Sequence, residues 1–150
     1  ISRGLNIVEQ NMDLGLSNFP DYSFDTVVMA HALQVLHHPD RVLDEMLRIG
    51  RQGIVTFPNF GHWQMRWRLL WGGQMPDTET WNRPWYETPN IHPCTITDFT
   101  TLCALDGYAV ERWLAVDEQG LKAPWRRSLR LANLFGEQAL FMLRRIGPGV

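Results

Sequence analysis

The residues best suited to chemistry are histidines that follow short apolar, strand-like segments. His37 comes shortly after the segment Phe24–Ala30, and His62 comes shortly after residues 53–58. An imidazole in such a position can accept or donate a proton or contact a bound substrate. His37 is therefore a candidate general base or substrate contact. An exposed loop residue that precedes a helix is the alternative interpretation.

A second set of candidate residues follows residues 6–10, which are a strand candidate. The carboxamide of Asn11 and the carboxylate of Asp13, with Met12 between them, could hold a purine and a ribose. The same side chains could instead stabilise a turn through bonds to the backbone, which is common for Asn and Asp. Both interpretations remain open from the sequence.

Several other catalytic arrangements are missing from the sequence. It contains no nucleophile elbow, phosphate-binding loop or paired catalytic carboxylates. The histidines lack the spacing of zinc ligands, so we expect no metal site. Cys94 and Cys103 form no CxxC motif, which favours two reduced thiols and a cytoplasmic protein.

Tryptophan is unusually abundant. Five of the seven tryptophans lie between Trp63 and Trp85. Trp63, Trp67 and Trp71 recur at helical spacing, a pattern more typical of a buried helix face than of a binding surface. The proline-rich segment 72–93 is too long for an ordinary connection and carries Trp85 and Tyr86, which predicts an active-site lid or a protein-contact surface.

The chain as a whole predicts one α/β domain over residues 1–150. It is 45% hydrophobic and 20% charged with a net charge of −2, which excludes a disordered chain and argues against nucleic-acid binding. No apolar stretch is long enough to span a membrane.

The predicted elements place the candidate residues at one edge of a sheet. Phe24–Ala30 and residues 53–58 are rich in β-branched residues, as in buried parallel strands, and a helix from Pro39 to the glycine at position 50 connects them. Ligands of such sheets bind beyond the carboxyl ends of the strands. Further along, we expect helices over residues 60–71 and 95–106 and strands over 108–117 and 138–145, separated by the basic segment 119–136.

Several sequence runs resemble a known family. Asp-Tyr-Ser-Phe-Asp-Thr-Val-Val at 21–28 and Leu-His-His-Pro at 36–39 look like the fourth-strand motif of class I S-adenosylmethionine-dependent methyltransferases. The runs at 55–63, 85–92, 114–117 and 133–137 resemble the MetW family of methionine biosynthesis.

The resemblance implies a Rossmann-like, three-layer αβα fold. Its sheet would have the strand order 3-2-1-4-5-7-6 and be mostly parallel with a closing antiparallel strand. Residues 6–10 would be the third strand, Phe24–Ala30 the fourth and residues 53–58 the fifth. The first two strands, with the glycine-rich cofactor loop, would precede Ile1, so we expect the chain to lack them.

The resemblance also implies a cofactor site for S-adenosylmethionine or S-adenosylhomocysteine. Asn11 would contact adenine, with Met12 and Asp13 beside it, and Ala30 and His31 would line the other side. The implied substrate or partner contacts are His37, Phe60, His62, Trp85, Tyr86 and His92. Without the glycine-rich loop, residues 1–150 alone should bind the cofactor weakly or not at all.

Two functions are compatible with these residues. One is methyl transfer to an unknown acceptor, which needs alignment and exclusion of water more than acid–base groups. The other is a non-catalytic role as a binding partner of homoserine O-acetyltransferase in methionine biosynthesis. A dehydrogenase-type dinucleotide domain is a third possibility, although the predicted last two strands suit it less well.

Overall fold

A four-stranded sheet organises the protein. The computed structural model describes residues 9–76, 84–117 and 128–146. Along the chain, the strands and helices are β1 (Phe24–Ala30), α1 (Pro39–Ile49), β2 (Gly50–Pro58), α2 (Trp63–Trp67), α3 (Ile96–Leu105), β3 (Tyr108–Val116), α4 (Leu129–Phe135) and β4 (Gln138–Arg145). The described residues also form two short 3-10 helices, Met12–Leu14 and Leu33–Val35, and a π-helical turn, Arg68–Gly72.

The strand order is β1-β2-β4-β3. β1 and β2 are parallel, whereas β4 is antiparallel to both of its neighbours. This is the order 4-5-7-6 that the family resemblance implies for the second half of the sheet. The predicted α/β class and the closing antiparallel strand are therefore confirmed.

Helix α1 forms where the sequence predicts it. Pro39 occupies its first turn, and its apolar stripe of Val42, Leu43, Met46 and Leu47 is buried. The helix leads directly into β2 at Gly50, so this strand begins three residues before the predicted start. A side chain at Gly50 would collide with Val27, since a Cβ atom there would lie 2.6 Å from Val27 Cγ2.

The core lies between one face of the sheet and helices α1 and α3. Phe57 of β2, Phe99 of α3 and Phe141 of β4 meet at its centre, with ring centroids 4.8–5.9 Å apart. The opposite face of the sheet remains partly exposed, and Val28 there is 61% exposed. The described residues thus form a helical layer and the sheet of the expected three-layer fold.

Two predicted elements differ in the structure. The helix expected over residues 60–71 is only Trp63–Trp67 followed by a π-helical turn, and its tryptophans are exposed, so the predicted buried stripe is wrong. The segment 119–136, predicted without a helix, contains α4. Ser128 caps this helix by accepting a hydrogen bond from Leu131 N, which is a signal the sequence does contain.

Some predictions fall outside the described residues. Most of the strand expected over residues 6–10 does, and Glu9 and Gln10 lie in no strand. Residues 77–83 of the proline-rich segment and residues 119–127 of the basic segment also lie outside them.

Candidate functional site

His31 lies at the carboxyl edge of β1 and β2, where the chain leaves β1. This residue adopts a left-handed conformation, with φ of 53°, directly after Ala30. Its backbone N–H donates to the carbonyl of Thr56, at 3.0 Å, and lies 3.3 Å from Thr56 Oγ1. A non-glycine residue in this conformation is uncommon and often marks a functional site. Both Ala30 and His31 are exposed at this edge, where the resemblance places one wall of a cofactor site.

Gln34 ties three segments of this edge together. It is 1% exposed, and its Nε2 atom donates to the carbonyl of Pro58 at 2.9 Å, at the end of β2. The carbonyl of Gln34 accepts hydrogen bonds from the backbone N–H groups of Ile91 and His92, at 2.9 and 3.0 Å. The segment that carries His92 is therefore fixed to the 3-10 helix that follows β1 and, through Gln34, to the end of β2.

Asn59 is the most connected buried side chain of the edge. Its Nδ2 atom donates to the carbonyls of Asn133 and Gly136, at 2.9 and 2.8 Å. Its Oδ1 atom accepts from the backbone N–H groups of Gly61 and Ile96, at 3.0 and 3.1 Å. Sequence reasoning did not single out Asn59 for a role of its own, although a polar residue directly after a strand that ends in proline was an available signal.

Asp13 lies against the beginning of α1. Its Oδ1 atom accepts hydrogen bonds from the backbone N–H groups of His37 and His38, at 3.0 and 3.2 Å. Its Oδ2 atom is 3.0 Å from His37 Nδ1, and the hydrogen bond from this side chain is the main cause that lowers the pKa of Asp13. The carboxylate therefore caps a helix that begins 26 residues later in the sequence.

The turn interpretation of Asn11 and Asp13 describes their observed contacts. Asn11 Oδ1 accepts a hydrogen bond from Asp13 N at 3.0 Å and so caps the 3-10 helix Met12–Leu14. A role in binding is compatible with these contacts for Asn11, because its amide Nδ2 can still donate to an adenine ring. Asp13 fits less well as a cofactor ligand, since both of its oxygens already have partners.

The Asp13–His37 pair is the arrangement at this edge best suited to proton transfer. The contact to Asp13 fixes the imidazole through Nδ1, and the side chain of His37 is 75% exposed. In a neutral ring that donates from Nδ1, the Nε2 atom is an acceptor. A carboxylate that orients an imidazole in this way is a recurring feature of general bases.

The remaining predicted contact residues fall into two groups. Phe60 and His62 are not fully exposed: Phe60 is half-buried and its N–H donates to the Cys94 carbonyl at 3.0 Å, and His62 is 5% exposed. Burial lowers the pKa of His62 and favours its neutral form. Trp85 and Tyr86 are exposed and pack edge to face, with ring centroids 5.7 Å apart.

His92 lies beside a small apolar cavity between the beginning of α1 and helix α3. The cavity has a volume of about 200 Å³, and its lining residues are Leu33, Pro39, His92, Cys94, Asp98, Phe99 and Leu102. Asp98 is engaged in the capping box of α3, where it accepts from Thr95. Because most of the lining side chains are apolar and the Asp98 carboxylate is engaged in the capping box, the walls favour an apolar occupant.

Neither cysteine has the environment of a reactive thiol. Burial raises the pKa of Cys94 to about 11 and that of Cys103 to about 12. Within residues 9–76, 84–117 and 128–146, no group of three or more His, Cys, Asp or Glu side chains could hold a metal ion. No helix in the described part of the chain is long and apolar enough to cross a membrane.

Comparison with known proteins decides the family. The sequence model of the family described as methionine biosynthesis protein MetW matches residues 1–143. The chain belongs to the MetW family. A curated relative, the bifunctional methionine biosynthesis protein MetXA/MetW of Rhodopirellula baltica, is 35% identical over 101 residues, which cover 67% of the chain and 16% of the relative. The chain thus spans a small part of that longer protein.

Solved structures support the fold. A SAM-dependent methyltransferase from Thermotoga maritima, described as a possible histamine N-methyltransferase, matches with a TM-score of 0.62 at 16% identity, over 97% of the chain and 66% of that protein. A SAM-dependent methyltransferase from Methanosarcina mazei matches with a TM-score of 0.55 at 15% identity, over 91% and 65%. A Rhodobacter sphaeroides protein described as a putative Zn-dependent alcohol dehydrogenase reaches 0.62 at 12% identity, over 97% and 67%. Likeness at these identities establishes a Rossmann-like methyltransferase fold and leaves the activity to be argued from the site.

Proposed function

We propose that this MetW family member acts together with homoserine O-acyltransferase in methionine biosynthesis and binds S-adenosylmethionine or S-adenosylhomocysteine. The observation that carries the partnership is the relative whose name joins MetXA and MetW in one chain. The proposed unit is one methyltransferase-like domain over residues 1–150. A cytoplasmic location is part of the proposal, and the two cysteines, which form no disulfide, support it.

The described residues are compatible with two sides of the proposed cofactor site. Asn11 offers an amide donor for adenine, and Met12 is partly buried against the core beside it. Ala30 and the left-handed His31 would form the facing wall. When bound, the cofactor would supply an electrophilic methyl group, and the protein's task would be to orient it and exclude water.

Cofactor binding is testable by calorimetry on the full-length protein that contains this chain. We expect S-adenosylmethionine and S-adenosylhomocysteine to bind, and Asn11→Ala to weaken both because an adenine contact is lost. Asn18→Ala is the control, since Asn18 is exposed in the following loop. Absence of binding by the wild-type protein would reject the cofactor part of the proposal.

The partnership needs its own experiment. Homoserine O-acyltransferase from the same organism is assayed alone and with the full-length protein, and complex formation is followed by co-purification. We expect a complex and a changed acyltransferase rate. If neither a complex nor a rate change is found, the chain does not act with this enzyme.

The Asp13–His37 pair favours methyl transfer as a second candidate function. If His37 is a general base, His37→Gln should reduce S-adenosylhomocysteine formation by about 100-fold or more, while cofactor affinity changes little. His38→Gln is a matched control, because His38 is also exposed and the side chain of Asp13 contacts only its backbone. Equal loss in both variants, or no turnover by the wild-type protein with any acceptor supplied, would contradict this role.

A further inference from the structure

The small cavity between the beginning of α1 and helix α3 is lined in part by the segment that carries His37. Leu33 lies in the connection from β1 to α1, to which His37 also belongs, and Pro39 is the first residue of α1. The other five lining residues come from residues 92–102. None of the residues proposed for the cofactor lines the cavity, so it is a separate feature of the same region.

Hydrogen bonds of the backbone fix the walls of this cavity. The carbonyl of Gln34 accepts from the N–H of His92 at 3.0 Å, and the carbonyl of Cys94 accepts from the N–H of Phe60 at 3.0 Å. The capping box fixes the first turn of α3, which forms the facing wall. Because these contacts need no occupant, the cavity is preformed, and a preformed site loses less entropy when a ligand binds.

The chemistry of the walls selects an uncharged occupant. Leu33, Pro39, Phe99 and Leu102 are apolar, and the thiol of Cys94 is neutral because burial raises its pKa to about 11. The Asp98 carboxylate accepts from Thr95 N and Thr95 Oγ1, at 3.0 and 2.8 Å. A charged group moved from water into such surroundings would lose its hydration and gain little in return.

The volume of the cavity sets the size of the occupant. At about 200 Å³ it is larger than an apolar cavity of roughly 150 Å³, which stays dry and binds benzene. A single aromatic ring, or an aliphatic group of similar bulk, therefore fits without movement of the walls.

We propose that this cavity is a binding site for a small, uncharged apolar ligand, or for an apolar group of a larger one, with the size of a single aromatic ring. His92 is exposed, which places its side chain at the solvent side of the cavity, beside the bound group. The site depends on neither cofactor binding nor a protein partner.

Fluorine NMR titrations of the full-length protein that contains this chain test the proposal. The probes are fluorobenzene and its charged counterpart 4-fluorobenzoate. We expect saturable binding of fluorobenzene and at least tenfold weaker binding of 4-fluorobenzoate. Leu102→Phe narrows the cavity and should raise the Kd of fluorobenzene at least tenfold. Leu105→Phe is the matched control on the same helix, and because Leu105 is 78% exposed, we expect a change of less than twofold.

A second variant keeps the test decisive if Leu102→Phe does not fold, which circular dichroism and urea unfolding would reveal. Leu102→Ala enlarges the cavity and should raise the affinity for 1-fluoronaphthalene relative to fluorobenzene at least threefold. An unchanged ratio would overturn the proposal.

Three further results would also overturn it: no binding of fluorobenzene by the wild-type protein, equal affinity in a folded Leu102→Phe variant, or equal affinity for 4-fluorobenzoate. None of these measurements involves S-adenosylmethionine or the acyltransferase, so failure of this site and failure of the function proposed above are distinguishable.

Discussion

The side-chain amides of buried asparagines hold the backbone segments around the candidate site in place. Asn59 satisfies two backbone donors, at Gly61 and Ile96, and two backbone acceptors at the end of α4. Asn133, itself 7% exposed, accepts a further contact from Ile96 N at 3.1 Å. In a site with little access to water, each such bond matters mainly because a backbone group would otherwise be buried without a partner.

Gly61 allows the two asparagines to come together, and its replacement is a direct test of their packing. A Cβ atom at this position would overlap Asn133 Oδ1 and lie 3.0 Å from Asn59 Oδ1. We expect Gly61→Ala to lower the free energy of unfolding by about 1–3 kcal/mol in urea denaturation. Gly72→Ala is the control. Nothing lies within 4 Å of a Cβ atom there, so its stability should be unchanged or about 0.5–1 kcal/mol higher. Equal stability of the two variants would show that the packing around Gly61 is looser than described.

Helix α1 shows how an element is fixed to a loop that precedes it in the sequence. Arg48 donates to both carboxylate oxygens of Glu45, at 2.8 and 2.9 Å, and to Asp21 at 2.6 Å. The same guanidinium donates to the carbonyls of Leu16 and Phe19, each at 3.0 Å. Because its planar group has five N–H donors, arginine can hold a carboxylate and two carbonyls at once, which lysine cannot do. The loop between the 3-10 helix and β1 is thereby held on α1.

This interaction predicts an acid-labile contribution to stability. The hydrogen bonds from Arg48 lower the pKa of Glu45 from 4.5 to about 2. The folded state therefore binds this proton less readily than the unfolded state, so the stabilisation is complete above pH 4.5 and is lost as the pH falls from 4.5 towards 2. We expect a loss of about 1–2 kcal/mol in this window, allowing for screening by solvent.

Urea denaturation as a function of pH measures this effect. Glu45→Gln should remove that part of the pH dependence, and Arg48→Met should do the same because it removes the cause of the lowered pKa. A wild-type profile that Glu45→Gln leaves unchanged between pH 4.5 and 2 would assign the acid sensitivity to other groups.

At the scale of the whole molecule, one aromatic cluster joins elements from distant parts of the sequence. Phe57, Phe99 and Phe141 are each no more than 2% exposed and belong to β2, α3 and β4. The antiparallel insertion of β4 between β2 and β3 brings the third ring to the centre of the sheet. Stability of the fold therefore depends on contacts that close only when the last strand is in place.

Phe141→Ala tests this dependence. Removing a fully buried phenylalanine should lower the free energy of unfolding by about 3–5 kcal/mol, because the cavity left beside its two aromatic partners, Phe57 and Phe99, cannot fully collapse. Phe24→Ala, at a position that is 41% exposed on β1, should cost much less. Comparable losses, measured by urea denaturation, would mean that the two sites are equally well packed and would contradict the described core.

Local sequence signals determined the secondary elements that carry their own start and stop residues. Pro39 and the buried stripe specify α1, Thr95 and Asp98 specify the capping box of α3, and β-branched runs specify the parallel strands. Sequence runs across the chain also determined the family and, through it, the strand order. These features depend on residues close together in the sequence or on similarity along it, so no knowledge of contacts is needed.

Only the tertiary structure decided which side chains are available for function. Helical spacing predicted that Trp63, Trp67 and Trp71 are buried, and they are exposed, because spacing defines a helix face and not whether another element covers it. Asp13 suggested a ligand contact, and its oxygens instead meet His37 and His38 just before α1, 24 and 25 residues away in sequence. Burial and hydrogen-bond partners are set by segments that meet only after folding, so the role of each polar or aromatic residue at this edge depends on the assembled sheet.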